Sequence, residues 1–323
     1  MSELTALQER ATEIRRIAVG LIHGAGSGHP GSCLSAADII AALYFGEMRL
    51  SGTAEAAPHE RGASAAPHDS DREVVGHRVS GAGTARDRFV LSKGHACPAL
   101  YAALYLRGQF DRAALGSFRR LGGLLQGSPT TKIPGIDATC GSLGQGFSIA
   151  IGLALGLRAQ GPGAASAQHA PQGAGSGARV FVMLGDGELQ EGEIWEGAMA
   201  AGHYQLGNLC AIVDYNKMQS DDLNERIMRL EPLDAKWRAF NWNAITIDGH
   251  DFGEIAAAFA EARATHDKPT VLIANTIKGK GVSYMEGVPS WHGSVKLKPE
   301  EIRQALADLG VPDGRQPEYA FHV

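Results

Sequence analysis

The stretch Val180-Phe181-Val182-Met183-Leu184-Gly185-Asp186-Gly187 decides the fold of this chain. Its first five residues, 180–184, are all apolar. A short continuous apolar run that ends at a glycine is typical of a strand buried on both faces. Parallel sheets of α/β proteins bind ligands just past the carboxyl ends of their strands. Asp186 is therefore expected at a binding edge.

The same rhythm of strand and helix extends on both sides of this stretch. Strands are predicted at 88–91, 180–184, 209–214, 244–247 and 270–275, and helices at 4–24, 35–45, 98–106, 142–159, 194–204 and 254–264. Strands that alternate with helices indicate an α/β fold, an open parallel sheet with helices on both faces. The 142–159 segment is apolar nearly all round, so it is predicted to be buried on every side.

Two polar segments interrupt this pattern, at 51–86 and 161–178. Both are rich in Ala, Ser and Gly and lack aromatic residues, so they are predicted to be flexible insertions in a single domain that covers 1–323. The first contains three histidines, for which solvated loop positions are favoured over a metal role because no apolar residues frame them: His59, His68 and His77.

Composition excludes several classes of protein. The chain has 323 residues, a net charge of −5 and no basic stripe, which argues against nucleic-acid binding. It has no apolar run of membrane-spanning length and no signal-peptide pattern, so a cytoplasmic location is expected. The cysteines stand far apart without a CxxC pair, which argues against a disulfide framework or a zinc site: Cys33, Cys97, Cys140 and Cys210.

Asp186 and Asn216 are the candidate metal ligands. Asn216 follows the predicted strand at 209–214, so both side chains are expected at the same sheet edge. Mg²⁺ prefers oxygen ligands and completes its shell with phosphate oxygens and water. Gly185 and Gly187 let the backbone approach a phosphate and donate N–H groups to it. An isolated Gly-Asp-Gly is more often a simple turn, but the strand context and Asn216 favour a metal-diphosphate site.

These residues resemble a known family. Gly185-Asp186-Gly187, with Asn216 thirty residues after the aspartate, resembles the thiamine diphosphate signature of transketolases and their relatives. Three further segments resemble transketolases in particular: Ser27-Gly28-His29-Pro30-Gly31, Leu91-Ser92-Lys93-Gly94-His95-Ala96 and Gly141-Ser142-Leu143-Gly144-Gln145-Gly146. The resemblance covers nearly all of the chain outside the two insertions and implies the N-terminal, diphosphate-binding subunit of a split transketolase.

The resemblance implies roles for individual residues. Asp186, Asn216 and the Met218 carbonyl would hold Mg²⁺, or Ca²⁺ or Mn²⁺, on the cofactor diphosphate. Gly185 and Gly187 would face the phosphate. The remaining cofactor-binding residues would be Gly141 and Leu143 against the aminopyrimidine ring and Glu191 at a subunit interface. Glu191 can equally be a carboxylate favoured at a helix N-terminus.

Three histidines match positions of the family: His29, His95 and His292. By resemblance, His29 and His292 would bind substrate oxygens and take the hydroxyl proton of the donor, and His95 and His292 would also lie near the diphosphate. Histidine suits proton transfer because its charge changes near neutral pH. For a lone histidine near a glycine-rich turn, a structural hydrogen bond is the simpler interpretation.

Three other positions leave the substrate open. Ser128 stands where the family has a histidine that binds the terminal hydroxymethyl group of the donor, so the donor pocket is expected to differ. Lys278 and Lys280 follow the predicted strand at 270–275. For these lysines, contact with phosphate or substrate and plain solvation are equally favoured.

The resemblance also implies an activity and a partner. The activity would be transfer of a two-carbon ketol unit from a ketose phosphate to an aldose. The pyrimidine-binding and C-terminal domains of the family have no counterpart here, so a second subunit is expected to supply them in an α₂β₂ assembly. The alternatives are half of a dihydroxyacetone synthase or 1-deoxyxylulose 5-phosphate synthase, the α subunit of a 2-oxo acid dehydrogenase, or a catalytically silent cofactor-binding module.

Overall fold

The structure is a computed structural model that describes residues 2–50, 86–160, 177–220 and 222–321. Apart from 86 and 177–178, the predicted insertions at 51–86 and 161–178 lie outside the described residues. The same holds for His59, His68 and His77.

Seven strands and ten α-helices are present in the described ranges. The strands are β1 (Arg88–Leu91), β2 (Val180–Gly185), β3 (Leu209–Tyr215), β4 (Met218–Gln219), β5 (Asp222–Leu223), β6 (Asn243–Asp248) and β7 (Thr270–Asn275). The helices are α1 (Glu3–Ala25), α2 (Pro30–Ala42), α3 (Cys97–Leu106), α4 (Arg112–Leu115), α5 (Gln145–Ala159), α6 (Gly192–His203), α7 (Asn224–Ile227), α8 (Leu233–Ala239), α9 (Phe252–Ala264) and α10 (Pro299–Asp308).

Five of the strands form one parallel sheet in the order β1-β2-β3-β7-β6. All five predicted strands are therefore present, each within one residue of its predicted bounds. In the register of β2 and β3, Gly185 lies opposite Asp214, so both strands end at the same edge. The remaining strands, β4 and β5, form a small antiparallel pair beside that edge.

Helices cover both faces of the sheet, as the sequence predicts. Phe181 and Met183 pack into a core with α1, α2, α3 and α9, whereas Val180, Val182 and Leu184 pack into a second core with α5, α6 and α8. Successive residues of a strand point to opposite faces. The continuous apolar run of β2 thus serves both cores at once, which confirms the α/β fold.

The second helix begins earlier than predicted. Its first residue is Pro30 rather than Ser35. Proline is favoured in the first turn of a helix because its fixed φ suits the helix and its missing N–H needs no partner there. The predicted start of this helix at residue 35 is therefore wrong. The turn is short, and it starts with Gly26, which caps α1 at a φ of 66°.

Helix α5 differs from its prediction in coverage. It buries Phe147, Ala150 and Ala154, but Ile149 is 39% exposed. Gly152 and Gly156 are exposed on the same side, and nothing would meet a Cβ added at either position. The prediction of burial on every side is wrong. An apolar sequence pattern shows which faces of a helix favour nonpolar surroundings, but it does not show whether another part of this chain covers them. This chain leaves one face of α5 uncovered.

In the described ranges, none of the helices is both long and apolar enough to span a membrane. All four cysteines are buried free thiols: Cys33, Cys97, Cys140 and Cys210.

Candidate cofactor and substrate site

Asp186 and Asn216 lie side by side at the carboxyl edge of the sheet. They follow the neighbouring strands β2 and β3. The Asp186 carboxylate accepts a hydrogen bond from the Lys217 amide at 2.6 Å and another from the Gly187 amide at 2.8 Å. Asn216 accepts one from the Met218 amide at 3.2 Å. The two loops are thereby interlocked, as the strand order predicts.

The Asp186 carboxylate is buried, and the positive charges of Lys278 and Lys93 act on it without a direct ion pair. It is 3% exposed, and among the described residues it has no ion pair with a lysine or arginine. Burial, and next the charge of Asp214, raise the pKa of Asp186 to about 6. A buried carboxylate without a direct ion-pair partner is well suited to a cation. No group of three or more His, Cys, Asp or Glu able to hold a metal occurs in the described ranges, so amide and carbonyl oxygens must complete such a site.

Lys278 connects the Met218 carbonyl with His292. Its Nζ donates to that carbonyl at 3.0 Å and lies 2.6 Å from Nδ1 of His292. Lys278 is only 1% exposed, and burial lowers its pKa to about 8. Plain solvation is therefore wrong for Lys278. Lys280 instead lies 3.8 Å from the partly exposed Glu286 and takes no part in these contacts.

The three histidines meet in one cluster although they come from distant segments. The ring centroids are 5.2 Å apart for His29 and His95, 5.7 Å for His95 and His292, and 6.4 Å for His29 and His292. Nε2 of His95 lies 3.1 Å from the hydroxyl of Ser32. Nδ1 of His29 is buried and has no hydrogen-bond partner among the described residues. An orphaned buried nitrogen is unusual and points to a ligand atom that completes it.

All three histidines are neutral at pH 7. Burial, then the charges of Arg119 and Lys278, lower the pKa of His29 to about 4. Burial and Lys278 lower that of His292 to about 3, and burial and Lys93 place that of His95 well below its usual range. A neutral imidazole can both accept and donate a hydrogen bond. The cluster can therefore bind hydroxyl groups and accept a proton.

Glu188 ties the site together, and sequence reasoning missed it. It is 2% exposed. One carboxylate oxygen accepts from the Ser92 hydroxyl and from the Gly144 amide at 2.9 Å, and the other accepts from the Gly185 amide at 2.9 Å. Glu188 thus links three of the four segments that carry the resemblance. Its only signal in the sequence is its position after Gly185-Asp186-Gly187.

A second buried carboxylate, Asp214, was also missed. Asp214 and Lys93 form an ion pair whose side chains are 0% and 1% exposed. Asp214 also accepts from Ser35 at 2.6 Å and from Thr276. Burial alone would raise the pKa of Asp214, but Lys93 and these hydroxyls hold it below its usual range. The pair anchors α2, the loop after β1 and the loop after β7 beneath the site.

The remaining predicted positions form the open rim of the site. Gly141 and Glu191 are exposed, and Leu143 is 36% exposed. A Cβ on Gly141 would lie 3.8 Å from Oγ of Ser128, so Ser128 belongs to the same rim. At Gly187, in contrast, a Cβ would come within 2.8 Å of Gln219, so only glycine fits there.

Fold and site together define a class: α/β proteins with a ligand site at the carboxyl edge of a parallel sheet. Residues 80–323 match the family model described as "Transketolase, thiamine diphosphate binding domain". The chain belongs to the transketolase family and carries its thiamine diphosphate-binding domain.

Two relatives match nearly end to end. The chain is 41% identical over 304 residues to the "6-deoxy-6-sulfo-D-fructose transketolase subunit SqwG" of a Clostridium species, and the match covers 94% of this chain and 96% of that one. It is 35% identical over 307 residues to an apulose-4-phosphate transketolase subunit of Phocaeicola vulgatus, and that match covers 95% of each chain.

A solved structure, the transketolase from Leishmania mexicana, superposes on the chain with a TM-score of 0.77 and 28% identity. The match covers 98% of this chain and 44% of the Leishmania chain. The chain thus spans nearly all of the two subunits and less than half of that transketolase.

Proposed function

We propose that this chain is the diphosphate-binding subunit of a two-chain transketolase, which transfers a two-carbon ketol unit from a ketose donor to an aldose acceptor. The observation that carries the proposal is the juxtaposition of the Asp186–Asn216 edge with the neutral histidines His29, His95 and His292. A cofactor-binding scaffold without chemistry has no need of three clustered, part-buried imidazoles, one of them with a buried and unpartnered nitrogen.

In this proposal Asp186, Asn216 and the Met218 carbonyl hold a divalent cation, Mg²⁺ or in its place Ca²⁺ or Mn²⁺. The Asp186 carboxylate, buried and with its pKa raised to about 6, supports this assignment. The carbonyl oxygen of Met218 has two lone pairs, so it can accept from Lys278 and still face a metal. Gly185 and Gly187 offer the diphosphate a close backbone approach.

The cofactor, when bound, supplies a carbon nucleophile and an electron sink for the carbon–carbon bond that breaks. This chain contributes binding and proton handling. His29 and His292 hold the donor's oxygens, and the free nitrogen of His29 accepts a hydroxyl proton. His95, held 3.1 Å from the Ser32 hydroxyl, would line the diphosphate side of the site. Gly141 and Leu143 would contact the aminopyrimidine ring.

A second subunit completes the active site in this proposal. It carries the pyrimidine-binding and C-terminal domains, and the assembly is α₂β₂ in the cytoplasm. The uncovered apolar face of α5, together with the 57% exposed Met199 of α6 and the exposed Glu191, is the surface expected to receive it. Exposed apolar patches of this kind mark protein–protein contacts.

Ser128 points to the class of donor. A serine cannot carry positive charge and is shorter than the family histidine, so the pocket takes a ketose that differs from the usual one near its first carbon. The two end-to-end relatives are named for a sulfonated and a phosphorylated sugar. The donor proposed here is accordingly a ketose with an anionic terminal group, phosphate or sulfonate.

The test is reconstitution. The chain is co-purified with a candidate partner chain that carries the pyrimidine-binding and C-terminal domains, and ketol transfer is assayed with a panel of phosphorylated and sulfonated ketoses. Turnover with at least one donor is expected, and none with either chain alone. Absence of turnover with every ketose favours a silent module. If the enzyme uses ordinary ketose phosphates as efficiently as housekeeping transketolases do, Ser128 does not change the choice of donor. Ser128→His is the matched control.

A further inference from the structure

Arg119 lies between the loop that carries His29 and the loop that carries His292. Its Nη1 donates to the hydroxyl of Ser27 at 2.5 Å and to that of Ser294 at 3.0 Å. The two hydroxyls are themselves 2.7 Å apart. Each serine stands two residues from one of the histidines, so one guanidinium joins the two histidine-bearing loops.

The backbone of these loops is paired at the same place. The Val295 amide donates to the Gly28 carbonyl at 2.8 Å, in an isolated antiparallel bridge. The bridge and the hydrogen bond between the Ser27 and Ser294 hydroxyls are direct contacts between the two loops. Arg119 donates to both of these hydroxyls and so holds the serine pair in place from a third segment of the chain.

Arg119 also reaches the loop of Ser128. A Cβ at Gly127 would lie only 3.1 Å from Nε of Arg119, so the absence of a side chain at Gly127 makes room for the guanidinium. Nε itself is buried and has no partner among the described residues. The guanidinium therefore touches all three loops that carry the donor-side residues.

The backbone conformation of Arg119 is a further sign that its side chain is held in place for a function. Its φ is 55°, in the left-handed region that residues with a side chain rarely adopt, while its amide donates to the Leu125 carbonyl at 2.9 Å. A residue held in an unfavourable conformation by its surroundings is a reason to look for a functional role.

We propose that Arg119 is a positioning residue for ketol transfer, which clamps the loops of His29, His292 and Ser128 and thereby fixes the spacing of the two imidazoles. The proposal rests on the function proposed above for His29 and His292. Arg119 acts through these histidines and not on the donor itself.

The charge of Arg119 has a second effect on His29. After burial, it is the strongest cause of the low pKa of His29, ahead of Lys278. The rings of His95 and His292 also face His29 and are neutral at pH 7. The same guanidinium that fixes the imidazole thus keeps it unprotonated and able to accept a proton.

The first test needs no activity. The pKa of His29 is measured in the full chain by NMR titration of labelled histidines, with the His29 signal assigned from His29→Asn. Arg119→Met is expected to raise the pKa of His29 by roughly one unit, whereas Arg119→Lys, which keeps the charge, changes it little. Arg120→Met is the matched control, because Arg120 donates to the Gly24 carbonyl instead. If the pKa of His29 is unchanged in Arg119→Met, or shifts equally in Arg120→Met, the charge of Arg119 does not lower the pKa of His29.

The second test uses the two-chain enzyme. Arg119→Met is expected to lower kcat by on the order of tenfold to a hundredfold, with a smaller change in the donor KM, because the imidazoles lose their alignment. The double variant Ser27→Ala/Ser294→Ala keeps the charge and removes both acceptors, and it serves if Arg119→Met does not fold. The kcat of this double variant is expected to fall as well. A wild-type kcat in the double variant would show that the contacts of Arg119 with the two serines do not position the histidines. Absence of all ketol transfer defeats the proposed function but leaves the His29 titration standing.

Discussion

The amide nitrogen of Gly144 lies 2.9 Å from Oε1 of Glu188, across 44 positions of the chain. This contact joins the turn before α5 to the turn after β2. Because the same carboxylate also accepts from Ser92 and Gly185, it holds the aminopyrimidine side and the diphosphate side of the proposed site in one arrangement. Glu188 therefore preorganises a cofactor pocket that it does not itself enter.

Glu188→Gln is expected to loosen this pocket. A glutamine amide has one acceptor oxygen, so in either orientation its NH₂ faces a donor that the carboxylate now satisfies. We expect the free energy of unfolding to fall by about 1–3 kcal/mol and cofactor affinity to fall with it. Urea unfolding and calorimetric titration with thiamine diphosphate measure the two. The exposed Glu196→Gln is the control, and equal behaviour of both variants contradicts the assignment.

Lys93→Met is expected to be more damaging than any surface lysine change. It leaves Asp214 buried and without its cation, which costs about 3–5 kcal/mol when one partner of a buried pair is removed. Lys280→Met is the matched control because its pair with Glu286 is partly exposed, and such pairs contribute about 0–1 kcal/mol. Thermal and urea unfolding compare the two. A loss below about 1 kcal/mol for Lys93→Met would mean that the pair is dispensable.

Asp186→Ala is expected to separate cofactor binding from stability. Metal-dependent binding of thiamine diphosphate should weaken by on the order of 100-fold or more, as expected for loss of a metal ligand. The fold should persist, because Asp186 is buried without a direct ion pair and the variant loses only its hydrogen bonds from the Lys217 and Gly187 amides. Calorimetric titration with Mg²⁺ and cofactor, beside circular dichroism, reports both. Asp267→Ala, on the exposed surface, is the control, and undiminished affinity in Asp186→Ala would count against the site.

The histidine cluster predicts a pH dependence of stability. His29 and His292 have pKa values of about 4 and about 3 in the folded chain, below the usual 6.5. Between pH 6.5 and 4 the unfolded chain binds protons that the folded chain does not, so stability falls as pH falls through this window. Each such histidine contributes a slope of at most about 1.4 kcal/mol per pH unit, and solvent screening of these part-exposed rings reduces it.

Urea unfolding across that window, in the wild type and in His29→Asn, measures this slope. The variant should show a shallower dependence on pH, and the exposed His203→Asn should not. Parallel curves for wild type and His29→Asn would contradict a neutral His29 in the folded state.

Ile149→Lys should weaken partner association without unfolding this chain. Ile149 is 39% exposed on the uncovered face of α5, so a lysine there remains solvated in the free chain and meets an apolar partner in the complex. Size-exclusion chromatography of the co-expressed subunits measures association, and thermal unfolding measures stability. Leu121→Lys, at a fully exposed position elsewhere, is the control. An intact complex with Ile149→Lys moves the contact to another surface.

The sheet could be predicted from the sequence because its signal is local. A parallel strand covered by helices on both faces must be apolar at every position, and a run such as 180–184 satisfies that without knowledge of its neighbours. The placement of Asp186 and Asn216 followed from the same logic, since each comes directly after a strand and neighbouring strands end at one edge. The start of α2 could not be fixed in this way, because the helical pattern at Ser35 was clearer than the proline that begins the helix.

What holds the site together was decided only by the tertiary structure. Glu188, the Lys93–Asp214 pair and the Arg119 clamp join residues 44, 121 and 92 positions apart, and no periodicity marks them. The same is true of the open face of α5. The sequence by itself determined which residues can bind a metal, a phosphate or a proton, since that depends on side-chain chemistry. Which buried charges are compensated, and which apolar face remains uncovered, depends on what packs against each residue, and only the folded chain specifies that.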